Sequence, residues 1–187
     1  MKENAKSSLP GIPTLLGLLV LALGVAALFL NGAAHKQPVP MVVAALLGFV
    51  VMFLMAGLYK LEPNQSAVLS LFGKYVGTVK DNGLRWNNPF FSKRKVSLRI
   101  RNFESSRLKV NELDGSPIEI AAVIVWQVVD SAEAVFNVDD YESFVHIQSE
   151  AALRAMASSY PYDQHEEGQI ALRSHPQEIS QHLQEQI

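Results

Sequence analysis

Covalent or metal chemistry needs side chains that hold an ion, move a proton or attack a carbon. The 187-residue chain has few of them in usable arrangements. It has no cysteine, which removes disulfides and thiolate metal sites. Its histidines, His35, His146, His165, His175 and His182, show no HExxH pair and no clustered ligand spacing. They read as solvated surface residues, and no metal is expected. Asp139 and Asp140 form an adjacent carboxylate pair. Asp139 lies three residues before Glu142 at the head of an apolar-periodic run, so the pair reads as a helix cap rather than an acid–base couple. No G-x-S-x-G, G-x-x-x-x-G-K-[ST] or G-x-G-x-x-G is present. The chain is therefore read as having no catalytic residues and no cofactor, and not as an enzyme; a membrane hydrolase lacks any supporting motif. Asn64-Gln65-Ser66 has only the form of a glycosylation sequon, close to an apolar segment.

The remaining chemistry is non-covalent, and it concentrates in "DNGLRWNNPFFSKRKVSLRIRNF", residues 81–103. Trp86, Phe90 and Phe91 come first and Lys93, Arg94 and Lys95 follow. Aromatic and basic side chains together suit single-stranded nucleic acid. They also suit an anionic lipid surface, because aromatic rings favour the membrane–water boundary and cations favour the headgroups. The aromatics precede the basic run instead of interleaving with it, and the distal half of the chain is acidic. Both points favour lipid over nucleic acid. Trp86, Phe90, Phe91, Lys93, Arg94 and Lys95 are thus candidate membrane-contact residues. The competing reading puts Trp86 and one Phe in the core and leaves the cations solvated.

The elements that would position this loop begin with two apolar runs. Residues 12–30 and 39–59 carry no charge, and each is close to the roughly 20 helical residues that cross a bilayer core of about 30 Å. The short link between them makes them antiparallel neighbours. A signal peptide fits the charged start of the first run and the small residues at 32–34, but that run is longer than the usual apolar region. Lys2, Lys6, Lys60, Lys74 and Lys80 fall on one side of the pair and Lys36 on the other. The positive-inside tendency then places both termini in the cytoplasm, with the chain in an inner or plasma membrane. Ala22 with Ala26, and Ala44 with Gly48, are spaced to let the two helices approach closely.

Charge divides the rest. Residues 60–110 hold eleven Lys or Arg against three acids, a net +8; residues 111–187 hold two basics against fourteen acids, a net −12. A basic half next to the spans and an acidic half beyond would orient the domain on an anionic leaflet. Residues 66–72 read as a strand. In "KVSLRIR", Val96, Leu98 and Ile100 alternate with basic residues, the pattern of a half-buried strand. The apolar run 118–129 reads as a central strand buried on both faces. "DNG" at 81–83 and "DGSP" at 114–117 are turns. A helix then runs from Asp139 to Pro161, with a stripe through Phe144, Ile147, Ala151, Ala155 and Met156. A second capping box at Ser174 and Gln177 opens a last helix with Ile179, Leu183 and Ile187 on one side. Strands followed by helices predict an α+β domain.

"PNQSAVLSLFGKYVGTVKDNGLRWNNPF", "DGSPIEIAAVIVWQVVD" and "AVFNVDDYESFVHIQSEAALR" together resemble the SPFH family, also called band 7 or prohibitin-homology and including stomatin-like proteins. The similarity is greatest to a bacterial subgroup with two N-terminal transmembrane spans. It implies a membrane anchor over 1–60, an SPFH domain over 61–163 of mostly antiparallel sheet with packed helices, and the start of a C-terminal helical region over 164–187. It further implies a non-enzymatic membrane scaffold that organises microdomains or membrane protein complexes, or else a regulatory subunit that restrains a membrane protease. Implied partners are the lipid bilayer, other copies of the chain as a homo-oligomer, and a membrane protein client. A nucleic-acid-binding membrane protein is the remote alternative. Relatives assemble through a longer helical region than these residues carry, so a monomer or small oligomer is expected.

Overall fold

A computed structural model describes residues 3–164 and 170–186. They form two compact units: Met1–Arg99 with Val128–Asn137, and Ile100–Gln127 with Val138–Ile187.

The first unit is built on a helical hairpin, α1 (Gly11–Ala34) and α2 (Pro38–Met55), joined by a turn in which Lys36 takes a positive φ. Both helices are long and apolar enough to cross a membrane. At 1.5 Å per residue they span about 36 and 27 Å, against about 30 Å of hydrocarbon. Most of their side chains point outward with no protein against them; Phe49 is 72% exposed. The two helices meet along Leu18, Ala22 and Val25 on one side and Ala44, Gly48 and Val51 on the other. Ala22, Ala44 and Gly48 lie in the seam as expected, but Ala26 is exposed. A repeat of four in α1 drifts off a contact line that follows three and four alternately.

The second apolar run is longer than its helix. α2 stops at Met55, and Leu58 already begins a strand, β2 (Leu58–Leu61). Composition does not separate an apolar helix from an apolar strand that follows it. Five strands join β2 in this unit: β1 (Leu9–Pro10), β3 (Gln65–Leu71), β4 (Lys74–Val79), β5 (Gly83–Trp86) and β6 (Ser92–Ser97). They form two antiparallel sheets of order β1-β5-β2 and β4-β3-β6. Tyr59, Leu61, Ala67, Leu69 and Val79 make their common core. The other face of β3 carries Ser66 and Val68 and is covered by a short helix absent from the sequence reading, α3 (Ser131–Phe136). Asp130 caps α3 by accepting from the amides of Ala132 and Glu133. The buried Ser66 hydroxyl donates to Ser131 Oγ at 2.7 Å and ties helix to strand.

The segment before α1 returns to this sheet. Ala5 bridges Thr78 of β4, Lys6 N–H donates to Thr78 O, and Lys80 Nζ meets Glu3 Oε2 at 2.6 Å. Residues before α1 and residues after α2 therefore lie at the same end of the hairpin.

The second unit pairs β7 (Arg101–Glu104) with β10 (Val123–Trp126), and β8 (Leu108–Asn111) with β9 (Pro117–Ile120). Gly115, at φ +85°, closes the turn before β9. The helices are α4 (Tyr141–Ser159) and α5 (Pro176–Gln186). Leu153, Met156 and Ala157 of α4 pack on Leu108, Val110 and Ile179.

Several expectations shift here. The run 118–129 is two strands, each in a two-stranded pair, rather than one central strand. In β10 Ile124 is buried, at 8% exposed, and Trp126 half-buried, while Val123 and Val125 are 65% and 66% exposed. A strand in a two-stranded pair with packing on one face buries alternate residues only. The strand expected over 95–101 ends at Ser97, and Ile100 is exposed. The cap of α4 is Asp140 rather than Asp139, with its carboxylate accepting from Glu142 and Ser143 amides. The buried row of α4 is Ser149, Leu153, Met156 and Ala157, whereas Phe144 and Ile147 face out. The apolar surface of this helix is broad, and tertiary contact selects one row of it. α5 starts at Pro176, a residue type suited to a first helical position. Ile187 and His165 lie outside the described residues.

Candidate membrane interface

The aromatic–basic stretch is carried by β5, the loop after it, and β6. β5 runs antiparallel to β2, so Trp86 stands opposite Leu58, three residues past the end of α2. Its indole N–H donates to Leu54 O at 2.8 Å. Leu54 is in the last turn of α2, and its carbonyl also accepts from Gly57 N–H at 3.1 Å just past the helix end. Gly57 lets the strand come this close: a Cβ there would lie 2.6 Å from Trp86 Nε1 and overlap the Asn87 carbonyl oxygen. Asn87 N–H donates to Gly57 O at 3.1 Å, and its buried side-chain amide donates to the Tyr59 hydroxyl at 2.8 Å.

Phe90 follows in the loop. It is 59% exposed, and its ring centroid lies 4.9 Å from that of Phe53 in α2. Lys93, at the start of β6, donates from Nζ to Ala56 O at 3.2 Å and sits 5.4 Å over the Tyr59 ring. A cation there also complements the negative end of the helix dipole. Partial burial pulls the Lys93 ammonium below its ordinary pKa. Burial likewise raises the Tyr59 phenol above its ordinary value, against the lowering effect of the Asn87 hydrogen bond.

The six candidate residues thus separate. Trp86, Phe90 and Lys93 gather at the end of α2. Phe91 packs against the sheet core with Tyr59 and Leu61. Arg94 and Lys95 are exposed and continue along β6, where directly opposed residues share a face. Lys95 is paired with Ala67 and Arg94 with Val68, so the three consecutive cations are split between two faces. Tyr59, Asn87 and Phe53 belong to the same cluster and were not singled out in the sequence. Only their proximity to the end of an apolar run pointed to them.

The described histidines stay apart. His35 Nδ1 is 3.0 Å from Asn31 O, His146 stacks on Phe103, and His175 Nδ1 accepts from Ala171 N–H. Among the described residues no three of His, Cys, Asp and Glu converge.

An apolar helical hairpin, long enough to cross a membrane and hydrogen-bonded at one end to antiparallel sheet, fits the class of proteins that carry an α+β domain on a membrane anchor. The sequence profile of the SPFH domain / Band 7 family matches residues 59–187, and the chain belongs to that family. No curated protein matches the chain significantly.

Proposed function

We propose that the protein is a non-enzymatic scaffold of a bacterial inner or plasma membrane, organising membrane microdomains or membrane protein complexes as a monomer or small oligomer. Family membership supports the scaffold reading. The observation that carries it is the joint between hairpin and domain: Trp86 on Leu54, Phe90 on Phe53 and Lys93 on Ala56 couple the sheet to the end of a span. A domain so coupled is held at the bilayer surface, where it can present its faces to other membrane proteins. The anchor is residues 1–60 and the SPFH domain 61–163, followed by a segment that holds α5. Five of six lysines flanking the spans favour the cytoplasm for tail and domain alike. Trp86, Phe90 and Lys93 form the lipid-facing rim, Arg94 and Lys95 add attraction to anionic headgroups, and Phe91 secures the loop from below.

The test is affinity purification of the full chain from native membranes in mild detergent, with identification of what accompanies it. A restricted set of membrane proteins, with few or no further copies of the chain, is expected. A membrane protease as the dominant companion would favour the regulatory-subunit reading. Release of the chain by alkaline carbonate would refute the anchor itself.

A further inference from the structure

Among the described residues, the most exposed large apolar side chain outside the two spanning helices is Phe72, at 90%. It occupies the first position of the two-residue loop Phe72-Gly73 between β3 and β4, where Leu71 pairs with Lys74. Both loop residues have positive φ, +48° for Phe72 and +85° for Gly73. A type I′ hairpin requires this and favours Asn at the first position. A bulky side chain in that conformation is an outlier, strained and bare. The turn from β2 to β3 shows the unstrained solution, because its positive-φ residue is Asn64. Nothing inside the unit accounts for a phenylalanine at position 72.

Strand register locates the tip. Ser70 of β3 pairs with Ser92 of β6, and Leu69 with Lys93. Ser92 directly follows Phe90 and Phe91, and Lys93 reaches Ala56 at the end of α2. β3 runs antiparallel to β6, so its C-terminal tip emerges at the end of the sheet where the span terminates. The tip and the Phe90 loop are therefore two prongs on one edge. Lys74, the next residue, is exposed and has no ion-pair partner among the described residues.

We propose that the β3–β4 hairpin tip, Phe72 with Lys74, is a second lipid-contact point that places the Phe72 ring among the acyl chains and the Lys74 ammonium among anionic headgroups. Two contacts on one edge, Phe90 and Phe72, fix the tilt of the sheet as well as its height above the bilayer. The proposal rests on α1 and α2 crossing that bilayer. Burying the ring in hydrocarbon supplies a reason for the strained turn that the fold does not.

The chain has no cysteine, so single labels can be placed in the full-length protein. Phe72→Cys, Asn82→Cys and Phe49→Cys are each labelled with an environment-sensitive fluorophore. Each is then reconstituted in bilayers of phosphatidylcholine with phosphatidylglycerol that also contain nitroxide-labelled lipid. Asn82 is exposed and lies just beyond Val79, the end of β4 opposite the hairpin tip, and Phe49 lies in the middle of α2. Strong quenching at Phe49 and Phe72, with none at Asn82, is the expected result. Raising salt or replacing Lys74 with Glu should weaken quenching at Phe72 without changing it at Phe49. Quenching at Phe49 with Phe72 as dark to the nitroxide as Asn82 overturns this inference alone. Absence of quenching at Phe49 overturns the anchor reading and this inference with it. An unlabelled Phe72→Asn variant gives an independent check, since it should raise the unfolding midpoint in detergent by relieving the turn. An unchanged or lower midpoint means that the turn is not strained and the argument from strain fails.

Discussion

Replacing Ile124 and, separately, Val125 with Asp distinguishes a strand covered on one face from one covered on both. Ile124 is 8% exposed, so Ile124→Asp forfeits about 2–3 kcal/mol of apolar burial. It also leaves an unpaired carboxyl group under cover, which adds about 3–5 kcal/mol if it stays charged. Val125 is 66% exposed, so only about a third of its burial value, roughly 0.5–1 kcal/mol, is at stake. Its carboxylate would meet water. The strand-propensity loss, about 1 kcal/mol at most, applies to both changes and cancels in the comparison. The structure therefore calls for a gap of about 3 kcal/mol or more, above a hundredfold in an equilibrium constant. Amide hydrogen exchange across the β7–β10 ladder in the detergent-solubilised full chain reads this directly. Ile124→Asp should abolish protection at Asn102 and Phe103, and Val125→Asp should leave it within about tenfold of the parent. Equal losses at the two positions would show that β10 is buried on both faces, as its unbroken apolar run suggests, and would refute the one-sided packing.

Gly57→Ala forces a methyl group against Asn87 and Trp86, an overpacking worth about 1–3 kcal/mol, and should speed exchange of the Asn87 amide while β7 and β10 are unaffected. Gly77, at φ +154°, faces Lys6, and a Cβ there would lie 2.7 Å from Lys6 Cβ; Gly77→Ala should release residues 3–8 to limited proteolysis without opening the β3–β6 pair. Burial raises the Tyr59 phenol, so the folded chain keeps a proton that the unfolded chain releases near its ordinary pKa of about 10. Stability should then fall as pH rises through that range, and melts of Tyr59→Phe should show a weaker decline above about pH 9.5.

Much of the anchor and of the fold class was legible in the sequence. Two uncharged apolar runs of near-spanning length have few other uses, because a bilayer demands that length and that composition together. Gly115 announced its turn, since positive φ is nearly free only for glycine. The cluster at the end of α2 was legible in part. Trp86, Phe90 and Lys93 gather at the end of α2, while Phe91 packs on the core and Arg94 takes the opposite face from Lys93 and Lys95. Residue type marks a side chain as suited to an interface but does not say which way its strand is turned.

By itself, the sequence determined the hairpin, the α+β domain after it, the turns built on glycine, and the family. These depend on local composition and short-range spacing, which one chain segment holds alone. Only the tertiary structure decided that Ile124 and not Val125 is covered, that Ser66 meets Ser131, and that Phe72 emerges on the same edge as Phe90. Each of these depends on which strand lies beside which and in what register. Pairing is set by contacts between residues distant in sequence, and a one-residue slip would exchange the two faces of every strand.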